Sequence, residues 1–204
     1  MLPSIEQTKQ LVNKICSYTD KLNEQMGLPR GISRRHYENV AFCAYSIAEK
    51  CGLNKEKAYI LGILHDYGEY IEDTIPNTFH GTAGYDEMML LGYNEVARTC
   101  LTHSFWEGVY EVDYFKSYNS NEIKRAINII STIKLDEYDY LIQLCDMLCS
   151  DKGIVSVEER IDYIVNKYKL DKNLVGFKRK KANELKKHFD ELCNKNIYEI
   201  LGIK

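Results

Sequence analysis

Proline is scarce in this chain, with 3 among 204 residues. Because proline removes a backbone donor and clashes with the preceding helical turn, its rarity leaves room for long uninterrupted helices. Long apolar runs are missing too. No stretch approaches the about 20 residues needed to span a bilayer, and Met1 to Lys9 holds no apolar segment like that of a secretory leader, so no membrane partner is expected. Neither sign of charge dominates. Lys and Arg number 27 against 30 Asp and Glu, for a net charge of -3, and no global field draws the chain to nucleic acid or an anionic surface. The basic run Lys178-Arg179-Lys180-Lys181, continued by Lys186-Lys187, is interleaved with Glu184, Asp190 and Glu191. It reads as a solvated helix face, so neither DNA nor RNA is expected as a partner.

Cys-x-x-Cys does not occur, and the 7 cysteines (Cys16, Cys43, Cys51, Cys100, Cys145, Cys149 and Cys193) are odd in number. That argues against a disulfide framework or a zinc knuckle. Most of them fall on apolar stripes, where cysteine acts as a small buried hydrophobe. The expected compartment is the reducing cytoplasm. Repeats, low-complexity tracts and Pro/Gly/Ser-rich linkers are also lacking, and 204 residues can bury one sizeable core. A single domain is expected.

Helical periodicity is what the chain has in abundance. Val40, Cys43, Ala44, Ile47, Ala48 and Cys51 follow the i, i+3, i+4, i+7 spacing of one buried face. Ser33 can cap this helix and Gly52 can end it. Asn54 can cap the next, which is apolar nearly all round from Ala58 to Leu64 and so central. Further helices are expected near residues 4–25, 82–91, 94–105, 121–133, 137–150 and 173–193, and a Ser156/Glu159 capping box should open one ending near 168. Tyr70 to Phe79 and the tyrosine-rich Glu107 to Ser120 read as connections, and no segment alternates as a strand would. The fold class is all-α.

Polar residues interrupt these apolar faces. Stepping back one turn from Val40 lands on His36, facing the core. Ala58, Leu61 and His65 share a face of the central helix, and Asp66 follows directly. Between Tyr140 and Cys149 only Gln143 and Asp146 are polar, and they share a face. A buried carboxylate is costly unless paired or bound to a metal. Each residue alone has a bland explanation; a shared metal explains all four with one cause. His80, before Gly81 at a helix start, and His103, in register with Val96 and Cys100, can also face inward, whereas His188 sits in a charged segment and reads as solvated.

His36, then His65-Asp66, then Asp146 resembles the pattern of the HD superfamily of metal-dependent phosphohydrolases. Arg35-His36-Tyr37-Glu38-Asn39-Val40 is similar to the family's first-histidine helix, Leu61-Gly62-Ile63-Leu64-His65-Asp66 to its central helix, and Leu141-Ile142-Gln143-Leu144-Cys145-Asp146 to the helix of its last aspartate. The resemblance covers about residues 33–165 and leaves a C-terminal helical extension of about 170–204. It implies an HD-type helical bundle with His36, His65, Asp66 and Asp146 as metal ligands. His80 and His103 match the extra histidines that hold a second metal in some members and lie near substrate phosphates in others. Glu69 stands where many members carry a lysine; Lys152, Arg34 or Arg35 are the candidates to replace that cation.

Mixed imidazole and carboxylate donors accept iron, manganese, zinc, cobalt or magnesium. One or two such ions per chain would lower the pKa of bound water and polarise a phosphoryl oxygen. The expected activity is hydrolysis of a phosphoester or phosphoanhydride in a nucleotide or another small phosphorylated molecule. Asp66, His80 and His103 are the catalytic candidates, and Arg35, His80, His103, Ser104 and Lys152 the substrate contacts. Trp106, Tyr110, Tyr114, Phe115 and Tyr118 either form a lid that stacks on a base or pack a loop onto the helices. A di-iron oxygenase and a catalytically silent nucleotide-binding regulatory domain are the alternatives, and a homodimer is left open.

Overall fold

The computed structural model describes residues 1–26, 34–72, 75, 77–106, 118–150, 153–168 and 172–203, apart from the side chains of residues 22, 23, 25, 26 and 168. Ser33, Lys152, Tyr110, Tyr114 and Phe115 lie outside the described residues. In chain order the elements are α1 (Ile5–Met26), α2 (Arg34–Cys51), α3 (Lys55–Leu64), α4 (Glu69–Glu72), α5 (His80–Leu90), α6 (Asn94–Thr102), α7 (Ser120–Ile130), α8 (Glu137–Met147), β1 (Cys149–Ser150), β2 (Gly153–Ile154), α9 (Val157–Tyr168), α10 (Lys172–Cys193) and α11 (Ile197–Leu201). The all-α expectation holds. None of the described helices is long and apolar enough to cross a membrane.

Local chemistry fixes several ends. The Asn54 side chain accepts the Lys57 amide at 3.0 Å and opens α3. Asp136 and Asp139 form a reciprocal box at the start of α8. Ser156 and Glu159 do the same for α9, as the sequence implied. Gly52 leaves α2 with φ 74°, a left-handed conformation that glycine adopts without strain.

The central layer is α2 against α3. A Cβ on Gly62 would lie 3.0 Å from the Ala41 Cα, so the two backbones touch there. Val40, Ala44, Ile47, Leu61 and Leu64 of this layer are wholly or nearly wholly buried, in one core with Leu141, Leu144, Ile161 and Phe189 from α8, α9 and α10. A smaller cluster of Phe79, Leu101, Phe105, Ile123, Ala126 and Ile130 packs α7 under the ends of α5 and α6.

Three expectations need correction. The connection after Tyr70 begins inside a helical turn, α4, whose amides bond back to the Gly68 carbonyl at 3.0 and 3.1 Å; one turn is too short to show periodicity. The helix expected over 137–150 stops at Met147, because the chain turns into an antiparallel hairpin pairing Cys149 with Ile154 and Ser150 with Gly153. Two-residue strands carry no alternation to read. The cysteine reading also fails in part: Cys51 and Cys193 form a disulfide between the ends of α2 and α10, 142 positions apart. Spacing gives no hint of it, since only the fold brings those helix ends together. It also removes cysteine usage as an argument for a reducing compartment. Cys16, Cys43, Cys100, Cys145 and Cys149 are free and buried, as expected.

Candidate metal centre

Helix ends bring the chemistry together. His36 comes from the first turn of α2. His65 and Asp66 follow the end of α3, His103 follows α6, His80 begins α5, and Asp146 lies in the last turn of α8. Asp66 is at the middle. Its Oδ1 is 2.9 Å from His103 Nε2 and 3.5 Å from His80 Nε2, while its Oδ2 is 3.1 Å from His65 Nε2 and 3.8 Å from His36 Nε2. Asp146 meets the set at His36, its Oδ1 3.2 Å from His36 Nε2. Two groups of donor atoms result, each within 4.8 Å mutually: His36, His65 and Asp66, and then Asp66, His80 and His103. They share Asp66, and Asp146 belongs to neither of these tight groups.

The hydrogen-bond wiring matters as much as the distances. His65 Nδ1 donates to the Gly62 carbonyl at 2.7 Å, and His103 Nδ1 donates to the Thr99 carbonyl at 3.0 Å. His80 Nδ1 donates to Glu72 Oε2 at 2.7 Å. Carbonyl and carboxylate oxygens accept, so each of these Nδ1 atoms carries a proton, and each ring, when neutral, turns an Nε2 lone pair inward. That is how imidazoles are held to bind a metal. Moreover, the buried Nε2 atoms of His36 and His65 have no hydrogen-bond partner among the described residues; they approach carboxylate oxygens without hydrogen-bonding geometry. Orphaned buried nitrogens facing carboxylates fit a cation between them.

Electrostatics agree. Burial works against charge on His65, but the neighbouring Asp66 and Asp146 outweigh it and push its pKa up to about 9. Burial opposes ionisation of Asp66 as well, yet His65 and His103 hold its carboxyl well below the usual range. Asp146 is likewise held below that range against its burial, by His36 and by the Arg160 guanidinium. Burial depresses His103. His80 is raised, because Glu72 and Asp66 outweigh its burial. Two side chains mark the open side: Asp146 is 26% exposed and His80 17%, against at most 6% for the others.

A family model described as HD domain matches residues 34–146, more than half of the chain. The chain belongs to the HD domain family. No curated protein and no solved structure matches it. HD domains bind divalent metals and are generally hydrolases, and the buried donors here suit such an ion.

Other sequence candidates fall in different places. Ser104 Oγ lies 2.9 Å from His103 Nε2 and 3.3 Å from His80 Nε2, at the edge of the centre. Arg35 is exposed, and its guanidinium runs beside Gly153 in the hairpin. Gln143 is structural: its amide donates to the Thr102 and Phe105 carbonyls at 2.8 and 3.3 Å, fixing the chain around His103. Glu69 Oε2 accepts the Tyr37 hydroxyl at 3.2 Å. Trp106 is buried in the main core and Tyr118 packs beside the Phe79 cluster, so these two aromatics pack the loop ends onto the helices. His188 is exposed and pairs with Glu137 at 2.7 Å.

Sequence reasoning missed Glu72 and Arg160. Glu72 orients His80 and accepts the Tyr118 hydroxyl at 3.0 Å through its other oxygen. It lies in an acidic stretch without periodicity, so nothing local distinguishes it from a solvated carboxylate. Arg160 sits one turn into α9 with its Nη2 3.7 Å from Asp146 Oδ1, a contact made across the hairpin.

Proposed function

We propose that this HD domain is a metal-dependent phosphohydrolase that cleaves a phosphoester or phosphoanhydride in a nucleotide or another small phosphorylated molecule. The observation that carries the proposal is the pair of donor groups joined at Asp66, with three imidazoles wired through Nδ1 so that Nε2 faces inward. His36, His65, Asp66 and Asp146 would hold the first ion. A divalent cation there supplies Lewis acidity and a bound water of lowered pKa. Asp66, in contact with every histidine of the set, would orient a water held there. With a single ion, His80, His103 and Ser104 line the substrate side, where His80 can keep a proton for the leaving oxygen. With two, His80 and His103 would hold the second ion beside the shared Asp66.

Protein purified without chelators should carry one or two divalent ions per chain by elemental analysis. It should also release phosphate from a panel of phosphomonoesters, nucleoside triphosphates and dinucleoside polyphosphates. His65→Ala and Asp66→Ala should lose both metal and turnover. A metal-replete protein inert across that panel would defeat the proposal. The complete second donor group supports a different chemistry as well, a di-iron site that activates dioxygen. A mixed-valent iron signal in EPR would favour it, and a single ion per chain would remove it.

A further inference from the structure

An anion-hydrolysing site needs a cation that stays put, and the position where many family members carry lysine holds Glu69, bound to Tyr37. The chain around Asp146 provides an alternative. Arg160 projects from α9 with its side chain only 15% exposed, and its guanidinium faces the most exposed carboxylate of the centre. The two do not hydrogen-bond: Nη2 stands 3.7 Å from Asp146 Oδ1. Its Nε is buried and has no hydrogen-bond partner among the described residues. Below the guanidinium plane lies the ring of Tyr163, with Arg160 Cζ 5.4 Å from its centroid. That stacking fixes the orientation of the planar group. Tyr163 in turn lines a cleft of about 590 Å³ along α9, together with Ser150, Asn166 and Lys167.

We infer that Arg160 is the phosphate anchor of this centre, donating from its guanidinium edge to the non-bridging oxygens of a phosphoryl group held at the Asp146 side. The guanidinium pairs with Asp146 by charge without hydrogen-bonding it and keeps an unused buried donor, and an oxyanion matches its fork in shape and sign. Asp146 is the most exposed carboxylate of the centre and Arg160 faces it, so a phosphoryl group held there meets the guanidinium. Unlike the missing lysine, Arg160 comes from beyond the segment that the family model matches. The inference rests on the phosphohydrolase reading and supplies the cation that reading lacks.

The test is direct binding of inorganic phosphate to metal-loaded protein, by calorimetry, with metal content measured in parallel. Wild type, R160M, R160K and the exposed-lysine control K187M are compared, and circular dichroism checks folding. We expect R160M to keep its metal and fold yet bind phosphate about 10- to 100-fold more weakly, the usual worth of hydrogen bonds to a charged group. R160K should recover part of that loss and K187M should bind as wild type does. Unchanged phosphate binding by R160M overturns the assignment alone, as does loss of metal from both Arg160 variants, which would make the residue a support for Asp146. If R160M fails to fold, the decision passes to R160K, where wild-type affinity for phosphate would overturn the bidentate anchor. Metal-loaded wild type that binds no phosphate brings down the assignment and the phosphohydrolase reading together.

Discussion

Gly68 is the position where one methyl group should do the most damage to the centre. It follows Asp66 by two residues and lies against the start of α5. A Cβ there would stand 2.0 Å from the His80 carbonyl oxygen and 2.5 Å from the Gly84 amide nitrogen. Both are backbone atoms, so no side chain can swing aside. Real Cβ contacts essentially never fall below 3.0 Å; Gly68→Ala must therefore push the Asp66 segment and α5 apart by roughly 1 Å, about twice the displacement of ~0.5 Å that a preorganised site tolerates. Overpacking of this kind costs about 1–3 kcal/mol, which for a chain of this length is roughly 2–12 °C in Tm. Because the strain falls between Asp66 and His80, metal affinity should drop about 10- to 100-fold, as when a residue supporting a ligand is lost. Gly176→Ala is the control. It lies in α10 with nothing within 4 Å of its Cβ position, and alanine there should stabilise by about 0.5–1 kcal/mol. The measurements are thermal unfolding without metal and metal retention against a graded chelator. A Gly68→Ala protein matching wild type in both would refute the close packing and the placement of His80 that depends on it.

Two further outcomes follow from groups around the centre. Asp139, 2% exposed, accepts from Arg98 Nε at 3.0 Å, from Thr102 Oγ1 at 2.7 Å and from the Asp136 amide at 2.8 Å, so it ties the end of α6, which precedes His103, to α8, which carries Asp146. Asp139→Ala should cost about 1–3 kcal/mol by leaving the buried Thr102 hydroxyl without its acceptor; a loss below about 0.5 kcal/mol in urea unfolding would count against that tie. His65, raised from 6.5 to about 9 in the metal-free protein, binds its proton more tightly folded than unfolded. Its contribution is complete below pH 6.5 and is lost as pH climbs through 9, so the urea midpoint of metal-free protein should fall across that window, and that of His65→Phe should fall less. A wild-type midpoint that stays level from pH 6.5 to 9 would contradict the coupling to Asp66 and Asp146.

Where the chain states its structure repetitively, it could be read. The stripe from Val40 to Cys51 and the nearly all-apolar Ala58–Leu64 define α2 and α3 without ambiguity, because a buried helix face repeats every turn. His36 and Asp146 stood out because a charged or polar group on such a face has no inexpensive neighbour. Glu72, Arg160 and Asp139 carried no such contrast. Each is an ordinary charged residue in a charged neighbourhood, and only tertiary packing gives it a buried partner. The hairpin after Cys149 and the turn of α4 were too short for any period to emerge. His80 falls between these cases: its type drew notice, but its inward nitrogen depends on Glu72, which did not.

The Cys51–Cys193 bond makes most of the molecule a covalent ring. His36 lies before that ring; His65, Asp66, His80, His103 and Asp146 all lie on it. A single nick in the backbone anywhere between the two sulfurs would open the ring into one branched chain and release no fragment. The helices bearing these donors would stay tethered to one another, and reduction would be needed before the pieces could drift apart.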